Sequence, residues 1–157
     1  MYDLNNEEKA VNYQTMRHIE RVRNLLNEVL KEILDRGKLH DQSKLEFPEV
    51  KGFTEFTKEL AGSTYGSEEY EELKTKLAET LKHHYSHNRH HPEHFKNGIN
   101  DMNLIDLIEL MCDWKAASER HNDGNIRKSI EINAERFEIS PQLRRIFENT
   151  ADFLDGK

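Results

Sequence analysis

Six of the chain's nine histidines fall within twelve residues, in the run His83-His84-Tyr85-Ser86-His87-Asn88-Arg89-His90-His91-Pro92-Glu93-His94. Histidine is the commonest metal ligand and titrates nearest neutrality, so so dense a run reads as one wall of a metal site. A solvated His-rich loop is the competing reading of an isolated tract. Other ligand-capable residues occur in order along the chain: His18, the adjacent pair His40-Asp41, then His83-His84, then Asp113. Each lies on or next to a segment with helical periodicity. Ordinary alternatives stand beside two of them: a core histidine for His18, and for Asp113 an ion pair with Lys115 or Arg120.

Helices must position these groups. Ile19, Val22, Leu26, Val29 and Ile33 recur at helical spacing between about Asn6 and Asp35, and Gly37 is expected to end that helix in the left-handed position. His18 shares the side of Val22, Leu25 and Val29, so it is expected to point inward. A continuous helix leaves His18 ~27 Å from its end near Arg36, so His18 can meet His40 only if the chain folds back sharply before His40, at residues 35–38 or through an earlier break in the helix.

Pro48 disfavours helix at Phe47, and a short helix carrying Val50, Phe53, Phe56 and Leu60 follows. Residues 62–66 read as a loop, with Ser67 capping a helix whose stripe is Tyr70, Leu73, Leu77 and Leu81, continued inward by His84. After Gly98 a strongly apolar helix is expected from about Asn103 to Arg120, the most buried of the set, with Cys112 as core filler. Asp106 and Asp113 stand about two turns apart on it, and a carboxylate in such a run is costly unless paired or metal-bound. Residues 121–125 read as a turn, Ile126, Ile130, Ile132 and Phe137 as the next helix, and Ser140-Pro141 as N-cap and N1 of the last.

At 157 residues the chain is expected to form one domain, an all-α bundle of about six helices. The metal-site core should span about residues 12–120, and the helices of about 125–155 should be structural. Only 35% of residues are apolar, 34% are charged, and proline and glycine together number ten, which suits helices with one apolar stripe. A net charge of −7 argues against a binder of long nucleic acid. The single cysteine excludes an internal disulfide and suggests a reducing compartment. With no leader-like segment and no apolar run near the ~18 residues of a membrane span, the expectation is a cytoplasmic protein without membrane contact. There is no Gly-rich phosphate loop, CxxC pair or nucleophile-elbow serine.

The ligand order resembles the HD-domain superfamily, all-helical metal-dependent phosphohydrolases. Their pattern is a His, a His-Asp pair, further histidines and a later Asp. His40-Asp41-Gln42-Ser43-Lys44 is similar to that superfamily's His-Asp-x-Gly-Lys segment, and His83-His84 with Asn88 and Pro92 to the double-His segment of its cyclic-dinucleotide phosphodiesterase branch. The likeness covers roughly residues 18–120. A small family common in bacteriophage genomes is closer still. It is matched by His40-Asp41-Gln42-Ser43-Lys44, by His83-His84 with Asn88 and His90-His91, and by Asp113-Trp114-Lys115-Ala116.

The resemblance implies a divalent metal (Mn, Fe, Co or Zn, with Mg also open) on His18, His40, Asp41, His83, His84 and Asp113. Such a site acidifies water and polarises a phosphoryl oxygen, with Asp41 and Lys44 in the catalytic roles. Lys44 and Arg89 are the cations suited to a phosphate, as point charge and fork, and His90 and His91 the further substrate contacts; solvated surface charges are the ordinary alternative for the two cations. The implied partner is a small phosphorylated substrate, a nucleotide above all, in the host cytoplasm if the chain is phage-encoded; a homo-oligomer is left open. Two rivals keep the fold: a di-iron oxygenase, which would use the surplus histidines, and a non-catalytic module that binds a nucleotide or host protein around a structural metal.

Overall fold

The helical periodicities become six α-helices in the computed structural model, which describes residues 3–60, 68–120 and 124–156, with side chains except at 57–60, 68–74 and 76. They are α1 (Asn6–Leu39), α2 (Glu49–Leu60), α3 (Glu68–His87), α4 (Leu104–Ser118), α5 (Ile126–Arg136) and α6 (Pro141–Leu154). Short 3₁₀ turns occupy Gln42–Leu45, Pro92–His94 and Gly98–Asp101, and the described residues contain no strand. The fold is an all-α bundle. The expectations placed on residues 61–67 and 121–123, and on the side chains of Leu60, Tyr70 and Leu73, lie outside the described residues. No helix among the described residues is long and apolar enough to cross a membrane.

The chain divides into two compact units, Met1–Lys38 and Leu39–Lys157. In the first, α1 runs through Gly37 instead of stopping there. A helical glycine costs only about 1 kcal/mol relative to alanine, and the pairs Arg36–Glu32 and Lys38–Asp35 support the last turns. Residues 35–38 therefore make no fold-back. The left-handed residue is Asp41, at φ 57°. No residue of α1 is buried, and His18 is exposed on it rather than facing a core, ~30 Å along the axis from Lys38 at the usual rise per residue.

In the second unit the apolar core belongs to the C-terminal helices. Asn103 caps α4 by accepting from the backbone of Ile105 and Asp106, while Asp106 accepts from the Asn103 backbone. One face of α4, Leu110, Met111 and Trp114, packs on Ile126, Ile130 and Ala134 of α5 and on Phe147 and Ala151 of α6. Ser140 caps α6 with Pro141 at its first position, and Asn125 caps α5. α4 is not buried all round, however: Leu104 is 76% exposed, and Cys112, one residue and ~100° from the buried Met111, is exposed rather than core filler. This second character of α4 frees a further face, carrying Glu109 and Asp113 one turn apart, for polar work.

α2 and α3 lie side by side. They approach so closely that a Cβ on Gly52 would overlap the Thr80 side chain. Leu77 and Leu81 are half-buried, and His84 continues their stripe into the interior with 1% exposure.

Candidate metal centre

The centre is assembled from four short stretches of the second unit. Where the chain leaves α1, Asp41 adopts the left-handed conformation that aspartate tolerates better than most residues, and the 3₁₀ turn behind it closes through Lys44 N–H donating to Asp41 O at 2.9 Å. That turn brings Lys44 Nζ back to 2.6 Å from Asp41 Oδ2. Glu49 follows at the start of α2, fully buried. The last turn of α3 supplies His84 and Asn88, and a tight turn, His91 N–H to Asn88 O at 3.3 Å, folds His90 and His91 back over them. α4 contributes Glu109 and Asp113.

Asp41 stands in the middle. Its Oδ1 lies 3.4 Å from His84 Nε2 and 3.6 Å from His90 Nε2, and its Oδ2 lies 3.6 Å from His40 Nε2. His40 Nε2 is also 3.7 Å from Asp113 Oδ1, and the Nε2 atoms of His84 and His91 face each other at 2.9 Å. Two glutamates hold the far sides of these rings. Glu109 Oε1 accepts from His40 Nδ1 at 2.9 Å, and Glu49 Oε2 accepts from His84 Nδ1 at 2.8 Å. An ionised carboxylate only accepts, so each of these Nδ1 atoms carries a proton; Nε2 of His84 presents a lone pair toward Asp41, and Nε2 of His40 can do so once it gives up its proton. This is the carboxylate–histidine–metal arrangement that fixes tautomer and ring orientation. Ser43 Oγ donates to Glu49 Oε2 at 3.0 Å, and Asn88 Nδ2 donates to Ser43 Oγ and to the His84 carbonyl, both at 2.8 Å.

Three buried polar atoms have no hydrogen-bond partner among the described residues: Asp41 Oδ1 and both ring nitrogens of His90. His90 Nδ1 is 3.1 Å from Glu109 Oε1 but out of line for a hydrogen bond. Buried groups left so are rare and costly, and two of them, Asp41 Oδ1 and His90 Nε2, face each other at 3.6 Å. Two sets of ligand atoms share these two residues, each set within 4.8 Å: Asp41, His84, His90 and His91, and His40, Asp41, His90 and Asp113. Imidazole nitrogens with one or two carboxylates suit a divalent transition metal, so the residues present fit such an ion.

The electrostatics agree. The carboxylates of Asp113 and Glu109 hold the His40 imidazole cationic, pushed up to about 10 against the opposing effect of burial. Burial would raise Asp41, but the hydrogen bond and charge of Lys44, with His40 and His84, hold its carboxyl below the usual range. Burial likewise opposes the ionised forms of Asp113 and Glu109, and neighbouring imidazoles overcome it. Burial drives His91 down to about 3, helped by His90 and His84, and lowers His84 as well, so both rings are neutral as ligands must be.

Of the residues singled out in the sequence, His40, Asp41, His84 and Asp113 come together here. His90 and His91, expected to touch substrate, stand within the ligand sets instead. His83 belongs to neither Asp41-centred set; its Nδ1 donates to Glu49 Oε1 at 2.7 Å. His18, on α1, is likewise in neither. Arg89 gives its fork to the fully buried Asp106, at 3.2 and 3.1 Å, and stacks over Phe95, so it is engaged away from a phosphate. Sequence reasoning missed Glu49 and Glu109. Glu109 had a signal, standing one helical turn before Asp113 on the same face, whereas Glu49 had none beyond following Pro48.

No curated protein and no solved structure matches the chain. Residues 7–153, which include every residue of this centre, match a family of unknown function, DUF5662, and the chain belongs to that family.

Proposed function

We propose that the chain is a metal-dependent phosphohydrolase acting on a small nucleotide or related phosphate ester, with Asp41 common to the two sets of residues that would hold divalent cations. The observation that carries this reading is the junction of two ligand sets at one carboxylate, whose two oxygens face different histidines. His40, Asp41 and Asp113 would hold one ion, and Asp41, His84 and His91 the other, with His90 Nε2 able to join either. When bound, paired divalent ions supply Lewis acidity and acidify water for attack on phosphorus.

The chain's own groups have distinct tasks. Four carboxylates, Asp41, Asp113, Glu49 and Glu109, surround the junction and match the charge of two divalent ions. Glu109 and Glu49 keep the ring nitrogens of His40 and His84 aimed inward. Lys44 now spends its ammonium on Asp41 Oδ2. With an ion held by that oxygen, Nζ would be available to a phosphate oxygen, where it would stabilise charge developing on the transferred group.

The same paired geometry favours a second reading, oxidation of a carbon substrate at two irons. Metal analysis of the purified protein, followed by a nucleotide screen with the metal found, separates the two. Hydrolysis predicts phosphate release supported by Mn, Co, Zn or Mg; two tightly held irons per chain without phosphate release would overturn it in favour of oxidation.

A further inference from the structure

Glu49, which holds His84 through one oxygen, also belongs to another group of donors through the other. His83 and His87 sit four residues apart in the last turns of α3, their rings stacked with centroids 4.1 Å apart and planes 18° apart. Together with Glu49 they offer three ligand atoms within 4.8 Å of one another. Two histidines at i and i+4 on a helix are zinc-binding spacing, and a His/His/Glu set leaves the fourth tetrahedral position open.

Three details suit the group to a cation. His87 Nδ1 is 2.8 Å from the His83 carbonyl, which only accepts, so the proton sits there and the His87 Nε2 lone pair is free. Glu49 divides its oxygens: Oε2 holds His84, and Oε1 is turned to His83. An ion on this side therefore leaves the inner histidine's partner in place. His83 also lines a cleft of about 410 Å³ bordered by Phe47, Pro48, Lys51, Phe56 and Leu77, giving access from outside.

We propose that Glu49, His83 and His87 form a separate zinc-type site, reached through His83 from the cleft between α2 and α3. This site goes beyond the phosphohydrolase reading and does not depend on it.

The test is equilibrium dialysis of the whole chain against Zn²⁺ alone, with zinc counted per chain in the unaltered protein, in His87→Ala and in His40→Ala. His87 is exposed, so its replacement leaves the fold intact, which circular dichroism checks. His87→Ala should bind one zinc fewer than the unaltered chain, while His40→Ala keeps that ion. If the Asp41 centre binds no zinc at all, the unaltered chain should hold one ion and His87→Ala none. A zinc count unchanged by His87→Ala overturns the proposal. An independent reading comes from ¹⁵N-labelled histidine: Zn²⁺ should shift the ring nitrogens of both His83 and His87, and signals that stay in place overturn it equally.

Discussion

Glu109→Gln tests whether the centre is built as described, because it removes a charge without removing bulk. Glu109 Oε1 accepts a hydrogen bond from Nδ1 of His40 at 2.9 Å and lies 3.1 Å from Nδ1 of His90, so one carboxylate aims the His40 ring at the junction and adds its charge beside the His90 ring. Loss of such an outer partner typically costs 10- to 100-fold in metal affinity, about 1.4–2.8 kcal/mol at 1.4 kcal/mol per tenfold. The amide oxygen can still accept from His40, but without charge, and the amide nitrogen cannot accept at all. The weakening should therefore sit in that range for the neutral replacement and at or beyond its upper end for Glu109→Ala. Calorimetric titration with Mn²⁺ measures it, with circular dichroism recording that the helices persist. An affinity within twofold of the unaltered protein would refute the idea that Glu109 orients the His40 ring.

Three further outcomes follow from the same geometry. Lys44→Ala should retain its metal, with affinity unchanged or slightly higher, yet lose roughly 10²–10³-fold in turnover of a phosphate ester; steady-state kinetics beside a metal count checks both. Arg89→Ala should destabilise the fold by about 1–3 kcal/mol in urea unfolding, because the buried Asp106 loses its charged donors, while metal content stays the same. His40, held protonated up to about 10 in the metal-free protein, should release close to one proton per chain when a cation binds at pH 7, as seen by calorimetry in buffers of different ionisation enthalpy. Because its value is raised on folding, its contribution to stability is complete below its ordinary 6.5 and lost toward 10, so the metal-free melting temperature should fall across that window and His40→Ala should flatten the fall.

The elements of the fold were legible where their signals are local. Asn103, Ser140 and Pro141 mark helix starts by chemistry confined to one turn, and the stripe ending in His84 follows from spacing alone. Gly37 misled because a helix tolerates its modest cost and the flanking ion pairs offset part of it, and Asp41 took the left-handed position that glycine was expected to fill. Cys112 misled because a run of apolar residues hides which one faces the core. In the centre, His90 and His91 could not be placed from spacing: the tight turn after Asn88 curls them back onto His84 and sends Arg89 the other way, to Asp106. Glu49 was illegible because a helical glutamate reads as a surface residue unless its burial is known, and for the same reason Glu109 was passed over despite standing one turn before Asp113.

The central claim, an Asp41-containing metal centre that hydrolyses a phosphate ester, is tested most directly by phosphate release from a panel of nucleotides by the metal-loaded protein, run beside Asp41→Ala and a chelated sample. The account predicts release with at least one nucleotide that disappears in both controls. A fully loaded protein that releases no phosphate from any of them, or an Asp41→Ala variant that hydrolyses as well as the unaltered chain, would contradict it.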